Sequence, residues 1–171
     1  RYTSPKTPHT HRYRADDSVE SATLANNLEL SLSYDSLGRL SSRKYTHGTT
    51  NNVIFFQNYE RDEVGNPEEI EDSEGLSTFG FDDWDRLVSA AYPDGTTEAF
   101  KYDLNGNRRE HRNEAGTTTY VYEATGERLE RLERDGATVA EYFYDGAGNV
   151  VRKVEAGVGE SLYEFDGAGQ M

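Results

Sequence analysis

An eight-residue pattern recurs along this chain and restricts its fold to a repeat architecture. Each copy consists of an aromatic residue or Leu, any residue, a second aromatic residue, an acid, two variable residues, Gly and a polar residue. The clearest copies occupy residues 32–39, 100–107, 120–127, 142–149 and 163–170. A period of about 20–50 residues is typical of proteins in which small units stack in a row.

The second aromatic of each copy is an anchor from which the spacing is measured. The anchors are Tyr34, Arg61, Phe81, Tyr102, Tyr122, Tyr144 and Phe165. The intervals between them are 27, 20, 21, 20, 22 and 21 residues. Arg61 is a degenerate anchor, which its neighbours Tyr59, Asp62 and Gly65 identify.

An eighth copy is predicted before the first clear one. Tyr13 lies 21 residues before Tyr34, which is one repeat period. Asp17 is as far from Tyr13 in sequence as Asp85 is from its anchor, Phe81. In both copies the Asp stands where the other copies have Gly.

Each repeat is predicted to form two antiparallel strands and two turns. Aromatic residues at positions i and i+2 lie on one face of a strand, so we expect two rows of rings that pack across strands. The acid is expected to accept N–H groups of the turn, and the Gly to supply a positive φ. The sequence therefore predicts an all-β fold of tandem antiparallel β-hairpins, with an irregular lead-in at residues 1–10 and about eight repeats at residues 11–171.

The pattern assigns a structural role to the paired aromatics, the acids and the glycines. These positions are Tyr34, Asp35, Gly38, Tyr59, Asp62, Gly65, Phe79, Phe81, Asp82, Phe100, Tyr102, Asp103, Gly106, Tyr120, Tyr122, Gly126, Tyr142, Tyr144, Asp145, Gly148, Tyr163, Phe165, Asp166 and Gly169. Trp84, the single Trp, takes the place that Leu37 has in its copy, which favours a packing role. The 27-residue interval carries extra residues, which we place in a longer hairpin loop at residues 46–52.

Composition narrows the function classes. Hydrophobic residues make up 34% of the chain and aromatic residues 12%, which favours thin β-layers held by ring packing. A net charge of −14 repels phosphate backbones, so nucleic acid is not expected as a partner. Cys is absent, which excludes disulfides and thiol chemistry, and no apolar run reaches the length of a membrane span. Arg outnumbers Lys by 14 to 4, a bias that the sequence alone does not explain.

No group of residues predicts catalysis, a cofactor or a metal ion. The four His residues share no spacing with a nucleophile, and paired acids such as Asp82-Asp83 recur with the turns. Residues 103–114 have acids and amides at the spacing of a calcium loop, but Arg108 stands where that loop requires Gly. We therefore expect a chain that is not an enzyme.

The alternation Tyr-x-Tyr-Asp-x-x-Gly-Asn, with a downstream Gly and Thr, resembles the YD, or Rhs, repeat over about residues 11–171. The resemblance implies a strip of β-sheet that spirals into a hollow shell, as in bacterial Rhs polymorphic toxins, the BC component of Tc toxins and teneurins. In the toxins the shell encloses a cytotoxic C-terminal domain. The Asp-Pro-x-Gly self-cleavage motif of many such shells does not carry over, since the sequence has no Asp-Pro pair.

Two functions follow as hypotheses. The first is a structural scaffold, an arc of a secreted or extracellular Rhs shell whose partners are the rest of the parent chain and its enclosed cargo; the start at Arg1 is consistent with a segment of a longer chain. The alternative is an extracellular binding module in which exposed Tyr rows or the loop at 46–52 contact glycans or a cell-surface receptor. Strand edges at both ends also predict some edge-to-edge self-association, which the net charge opposes.

Overall fold

The computed structural model describes residues 10–24 and 27–165, and these residues form an all-β fold, as predicted. Every strand pairing in it is antiparallel. The strands are β1 (Thr10–Tyr13), β2 (Val19–Leu24), β3 (Leu28–Tyr34), β4 (Leu40–His47), β5 (Val53–Arg61), β6 (Pro67–Asp72), β7 (Gly75–Phe81), β8 (Leu87–Ala91), β9 (Thr97–Tyr102), β10 (Arg108–Asn113), β11 (Gly116–Tyr122), β12 (Leu129–Arg134), β13 (Ala137–Tyr144), β14 (Val150–Glu155) and β15 (Gly159–Leu162). Most of the predicted lead-in, and the predicted positions Asp166 and Gly169, lie outside the described residues.

The chain divides into two compact units, Arg1–Asp85 with Ala91–Gly95 and Arg86–Ala90 with Thr96–Met171. In the first unit, β1 to β7 follow in chain order and each strand pairs with the next. In the second unit, β9 to β15 do the same. Each unit is therefore built from contacts between neighbours in sequence, as expected for a tandem array.

The pairing register shifts where a strand meets its anchor. Examples are the shifts between Ser33 and Tyr34 and between Phe143 and Tyr144. Such a bulge adds one residue to one strand, increases the local twist and redirects a side chain. The regular period of the sequence gave no sign of it.

The two faces of the strands differ in burial. In β3, Leu30, Leu32 and Tyr34 are partly buried, whereas Ser31 and Ser33 are exposed. Full burial is rare among the described residues. The buried hydrophobic residues of the described part of the chain are Ala22, Ala90, Phe100 and Ala140. The thin layers expected from the composition are therefore present, and small side chains occupy most of their buried positions.

The extra residues of the 27-residue interval lengthen the strands of a hairpin more than the loop between them. β4 and β5 have 8 and 9 residues, so Thr46 and His47, which we expected in the loop, belong to β4. The Gly48 N–H donates to the Asn27 carbonyl at 2.7 Å, and the Asn27 amide donates to the Thr49 hydroxyl at 2.6 Å. These bonds hold the hairpin end against the neighbouring turn, which explains why the strands continue past residue 46.

Candidate functional site: the repeat turns

The Asp that follows an anchor organises the turn after it. Asp103 Oδ1 accepts the N–H groups of Asn105 at 3.0 Å and Asn107 at 2.9 Å, while Oδ2 accepts the Asn107 amide at 3.2 Å. Asp145 makes the same three bonds with Ala147 and Asn149, each at 2.9 Å. Side chains of this kind stabilise turns because they satisfy N–H groups that no strand can pair.

These bonds favour the ionised carboxylate. The Asn149 amide, together with the backbone N–H groups of the turn, lowers the pKa of Asp145 below its ordinary value. Loss of water around Asp103 acts to raise its pKa, but bonds from Asn107 and Asn105 outweigh this effect and the pKa is lowered. The side chain of Arg39 has the main part in lowering the pKa of Asp35, which it contacts at 2.7 Å. The turns are therefore sites of fixed negative charge.

A positive φ closes the turn. The Gly106 N–H donates to the Asp103 carbonyl at 3.1 Å, and Gly106 has φ +88°. Asp85 takes the same place in its own copy with φ 58°, and its N–H donates to the Asp82 carbonyl at 3.0 Å. Asp tolerates this conformation better than most residues, although it does so less easily than Gly.

The anchor tyrosines connect each repeat to the one before it. The Tyr34 hydroxyl donates to the Val19 carbonyl at 2.8 Å, and the Tyr144 hydroxyl donates to the Leu129 carbonyl at 2.8 Å. The equivalent bond from Tyr102 reaches Leu87 at 2.9 Å. Each acceptor is the first residue of the strand that leaves the preceding turn. The phenol, and not only the ring, therefore has a role at an anchor.

A second set of bonds joins one turn to the next. The Arg39 guanidinium donates to the Asp62 carbonyl at 3.2 Å, and the Asn66 amide donates to Asp85 Oδ1 at 2.9 Å. In the second unit, Asn107 donates to the Gly126 carbonyl at 2.7 Å. The polar residue that ends the sequence pattern thus bonds to the following turn in these copies. We call these bonds the turn links.

Arginine side chains cover the anchor rings. The guanidinium carbons of Arg14 and Arg86 lie 4.9 and 4.7 Å from the ring centres of Tyr34 and Tyr102. Arg86 also donates to the Asp103 carbonyl at 3.0 Å, so it stacks and links turns at once. A planar guanidinium can lie flat on the ring while its edge donates, whereas a Lys ammonium is a point charge without a flat face, which gives a physical reason for the excess of Arg over Lys.

The first aromatics of the copies do not pack ring against ring as we expected. Those from Tyr59 to Tyr142 lie on incoming strands, and within each unit an outgoing strand separates one incoming strand from the next. Tyr59 faces Ile70 across the pair, Tyr120 faces Leu132, and Phe100 faces His111. His111 stacks on Phe100 with ring centres 4.7 Å apart. Two strand spacings are about 10 Å, which is too far for direct ring contact.

Comparisons with known proteins agree with this geometry. Residues 61–97 match the RHS Repeat family. Within these residues the chain is similar to an Rhs repeat. No curated protein matches the sequence.

Solved structures are similar to this chain in fold over most of its length. A crystal structure titled TcdB2-TccC3 without hypervariable C-terminal region shares 17% identity over 90% of this chain, with a TM-score of 0.70. The Tc holotoxin pore of Photorhabdus luminescens shares 17% identity over 92%, with a TM-score of 0.57. The chain covers only 9% and 10% of those two chains. At this level of identity the similarity shows the fold alone.

The repeat turns expose apolar residues at their tips. Leu37, Val64 and Trp84, each three residues after an anchor, are 69%, 73% and 63% exposed. The packing role expected for Trp84 is therefore wrong. Its turn is closed by backbone bonds and by the N–H of Trp84 itself, which donates to Asp82 Oδ1 at 3.0 Å. The side chain is directed outward as a result.

Residues 10–24 and 27–165 bring together no three His, Asp or Glu side chains that could hold a metal ion. In the same residues, no helix is long and apolar enough to cross a membrane. His47 and His111 lie in different strands, and His9 is outside the described part of the chain. The repeat turns are thus the main set of organised polar groups, and their bonds connect repeats.

Proposed function

We propose that this chain is part of the wall of an Rhs shell that encloses a toxin or another C-terminal cargo. The observation that carries the proposal is the match in fold over 90% of the chain to a Tc toxin structure with a TM-score of 0.70. The proposed role is structural and not catalytic. Its partners are the rest of a longer parent chain and the enclosed cargo, and its location is secreted or extracellular.

The construction of the repeats supports a wall. Phenol bonds such as Tyr102 to Leu87 and turn links such as Asn107 to Gly126 connect successive repeats in both directions along the chain. Among residues 10–24 and 27–165 few hydrophobic residues are buried, so stability comes from these junctions more than from one core. A sheet of this kind grows by adding repeats without changing its cross-section.

We further propose that the array has eight copies, the first anchored by Tyr13. The Arg14 N–H donates to the Ser18 carbonyl at 2.9 Å and the Asp17 N–H donates to the Arg14 carbonyl at 3.1 Å, as in the later turns. Asp17 has φ 63°, close to the 58° of Asp85. Arg14 replaces the acid of the pattern, which weakens the copy in sequence but leaves its backbone bonds in place.

The test uses the full-length protein in which these residues occur. Tyr102→Ala with Asp103→Ala removes a phenol bond and a turn acid, and Leu104→Ala, at an 89% exposed neighbour, is the matched control. We expect protease to spare the C-terminal domain in the parent protein and the control, and to cleave it in the double variant. Electron microscopy should show a hollow particle. A solid particle, or equal cleavage in all three proteins, would contradict the proposal.

A second candidate function is an extracellular binding module for glycans or a cell-surface receptor. The 63% exposure of Trp84 favours it, because a large aromatic ring at the surface combines apolar area with a polar N–H group. A glycan array on the chain tests this function. Reproducible binding that Trp84→Ala abolishes, with the β-sheet circular dichroism unchanged, would favour it over the shell.

A further inference from the structure

The first unit carries a row of exposed apolar side chains along one edge of its strands. The row consists of Leu37, Val64 and Trp84, at the tips of the turns that follow β3, β5 and β7. Because consecutive strands are antiparallel, these three turns lie at the same edge. Alternate strands are about 10 Å apart, so the row has a regular spacing. We call it the apolar turn row.

Folding does not require apolar residues at this position. The corresponding residues of the second unit are Asn105, Thr125 and Ala147, and they are also exposed. The repeat therefore accepts polar and small residues three places after an anchor. Large apolar side chains at three consecutive turns expose hydrophobic surface, which is a feature of interaction sites.

The apolar turn row is held rigidly. Arg39 links the first of its turns to the second at 3.2 Å, and Asn66 links the second to the third at 2.9 Å. Asp62 fixes the middle turn through bonds to the N–H groups of Gly65 and Asn66 at 2.7 and 2.8 Å. A surface that is ordered before binding loses little conformational entropy when a partner arrives.

Acidic side chains flank the row. Glu63 and Asp83 precede Val64 and Trp84 in their turns, Asp85 follows Trp84, and all three acids are exposed. This charge opposes a second copy of the same edge, and the aliphatic Leu37 and Val64 offer no ring on which a sugar can stack. An apolar partner that also carries positive charge is complementary to it.

We propose that the apolar turn row docks a cationic amphipathic helix of a separate partner protein, with apolar residues seven positions apart. Seven residues of a helix span about 10.5 Å, close to the spacing of alternate strands. Lys or Arg residues beside the apolar positions meet Glu63, Asp83 and Asp85. The proposal uses only the first unit and is independent of the shell function.

The single Trp provides the readout. The probe is a synthetic helix of about 18 residues with Leu at every seventh position and Lys between, titrated into the 171-residue chain while Trp84 fluorescence is followed. We expect a blue shift of the emission. Leu37→Ser with Val64→Ser should weaken binding about tenfold, and Val158→Ser, at an exposed apolar residue of a different turn, should leave it unchanged. All three residues are exposed, so the variants keep the fold, which circular dichroism checks.

Two peptide controls separate docking from charge attraction. A peptide with Ser in place of Leu should not shift the Trp84 emission, and a peptide with Glu in place of Lys should bind weakly or not at all. Equal binding of the Ser peptide, or unchanged affinity of the double variant, would overturn the proposal. A dimer in sedimentation that the double variant abolishes, or glycan binding lost in Trp84→Ala, would assign the row to a different occupant and also refute it.

Discussion

Replacing Tyr102 with Phe removes one hydroxyl and keeps the ring under Arg86. The bond lost is the 2.9 Å contact to the Leu87 carbonyl, and the stacking at 4.7 Å remains. A hydrogen bond between uncharged groups contributes about 0.5–1.5 kcal/mol to stability, so we expect unfolding of this region to be easier by about 1 kcal/mol. Phe81 occupies an anchor naturally, which indicates that a ring without a hydroxyl folds in this position.

The loss should be local, because each repeat contacts mainly its neighbours. Hydrogen exchange should accelerate about fivefold in β8 and β9, as about 1 kcal/mol implies, while β3 and β4 stay unchanged. Tyr102→Leu, which removes ring and hydroxyl together, is the comparison and should cost clearly more. Identical exchange in wild type and Tyr102→Phe, or acceleration spread evenly over all strands, would refute the idea that the phenol fastens one repeat to the one before.

Three further changes test other features of the turns. The pKa of Asp145 is lowered in the fold, so the stability that its carboxylate contributes is present above the ordinary pKa of 3.8 and is lost as pH falls below it. Asp145→Asn should therefore flatten the dependence of the urea midpoint on pH in that range. Gly75→Ala places a Cβ 2.8 Å from the Pro93 ring at φ +130°, and should lower the free energy of unfolding in urea by about 2–4 kcal/mol. Gly157→Ala, whose Cβ meets nothing within 4 Å, should lower it by about 1 kcal/mol. Similar losses in the two variants would contradict the reasoning. Arg86→Lys should cost about 1 kcal/mol by the same measurement because Lys has no planar group that can lie flat on the ring while its edge donates to the Asp103 carbonyl. An unchanged midpoint would count against the account of the Arg excess.

The sequence was sufficient for the fold class because the pattern repeats. An acid such as Asp103 and a Gly such as Gly106 mark turns by their own local chemistry, and several copies at one period leave few architectures open. The role of the Tyr hydroxyl was not predictable. Its acceptor lies 14 or 15 residues earlier, on a carbonyl that no side-chain pattern marks.

The errors have a common physical origin. The expected contact between rings such as Tyr59 and Phe79 overlooked the outgoing strand between them, which is a matter of sheet register and not of spacing in sequence. The packing role of Trp84 was inferred from its taking the place of Leu37, but both residues lie at turn tips and are mostly exposed. The loop expected from residue 46 became strand because Gly48 bonds to Asn27, a contact that sequence separation conceals.

The bonds at each junction also have a direction along the chain. The phenol of Tyr144 donates to a carbonyl of the preceding repeat, whereas the amide of Asn107 donates to a carbonyl of the following repeat. During synthesis, a repeat can therefore anchor to finished structure as soon as it leaves the ribosome. The donor that it then presents is satisfied 23 residues later in the link from Arg39, and 19 residues later in the links from Asn66 and Asn107. Such an order of assembly keeps each folding step short in sequence and exposes only one unfinished edge at a time.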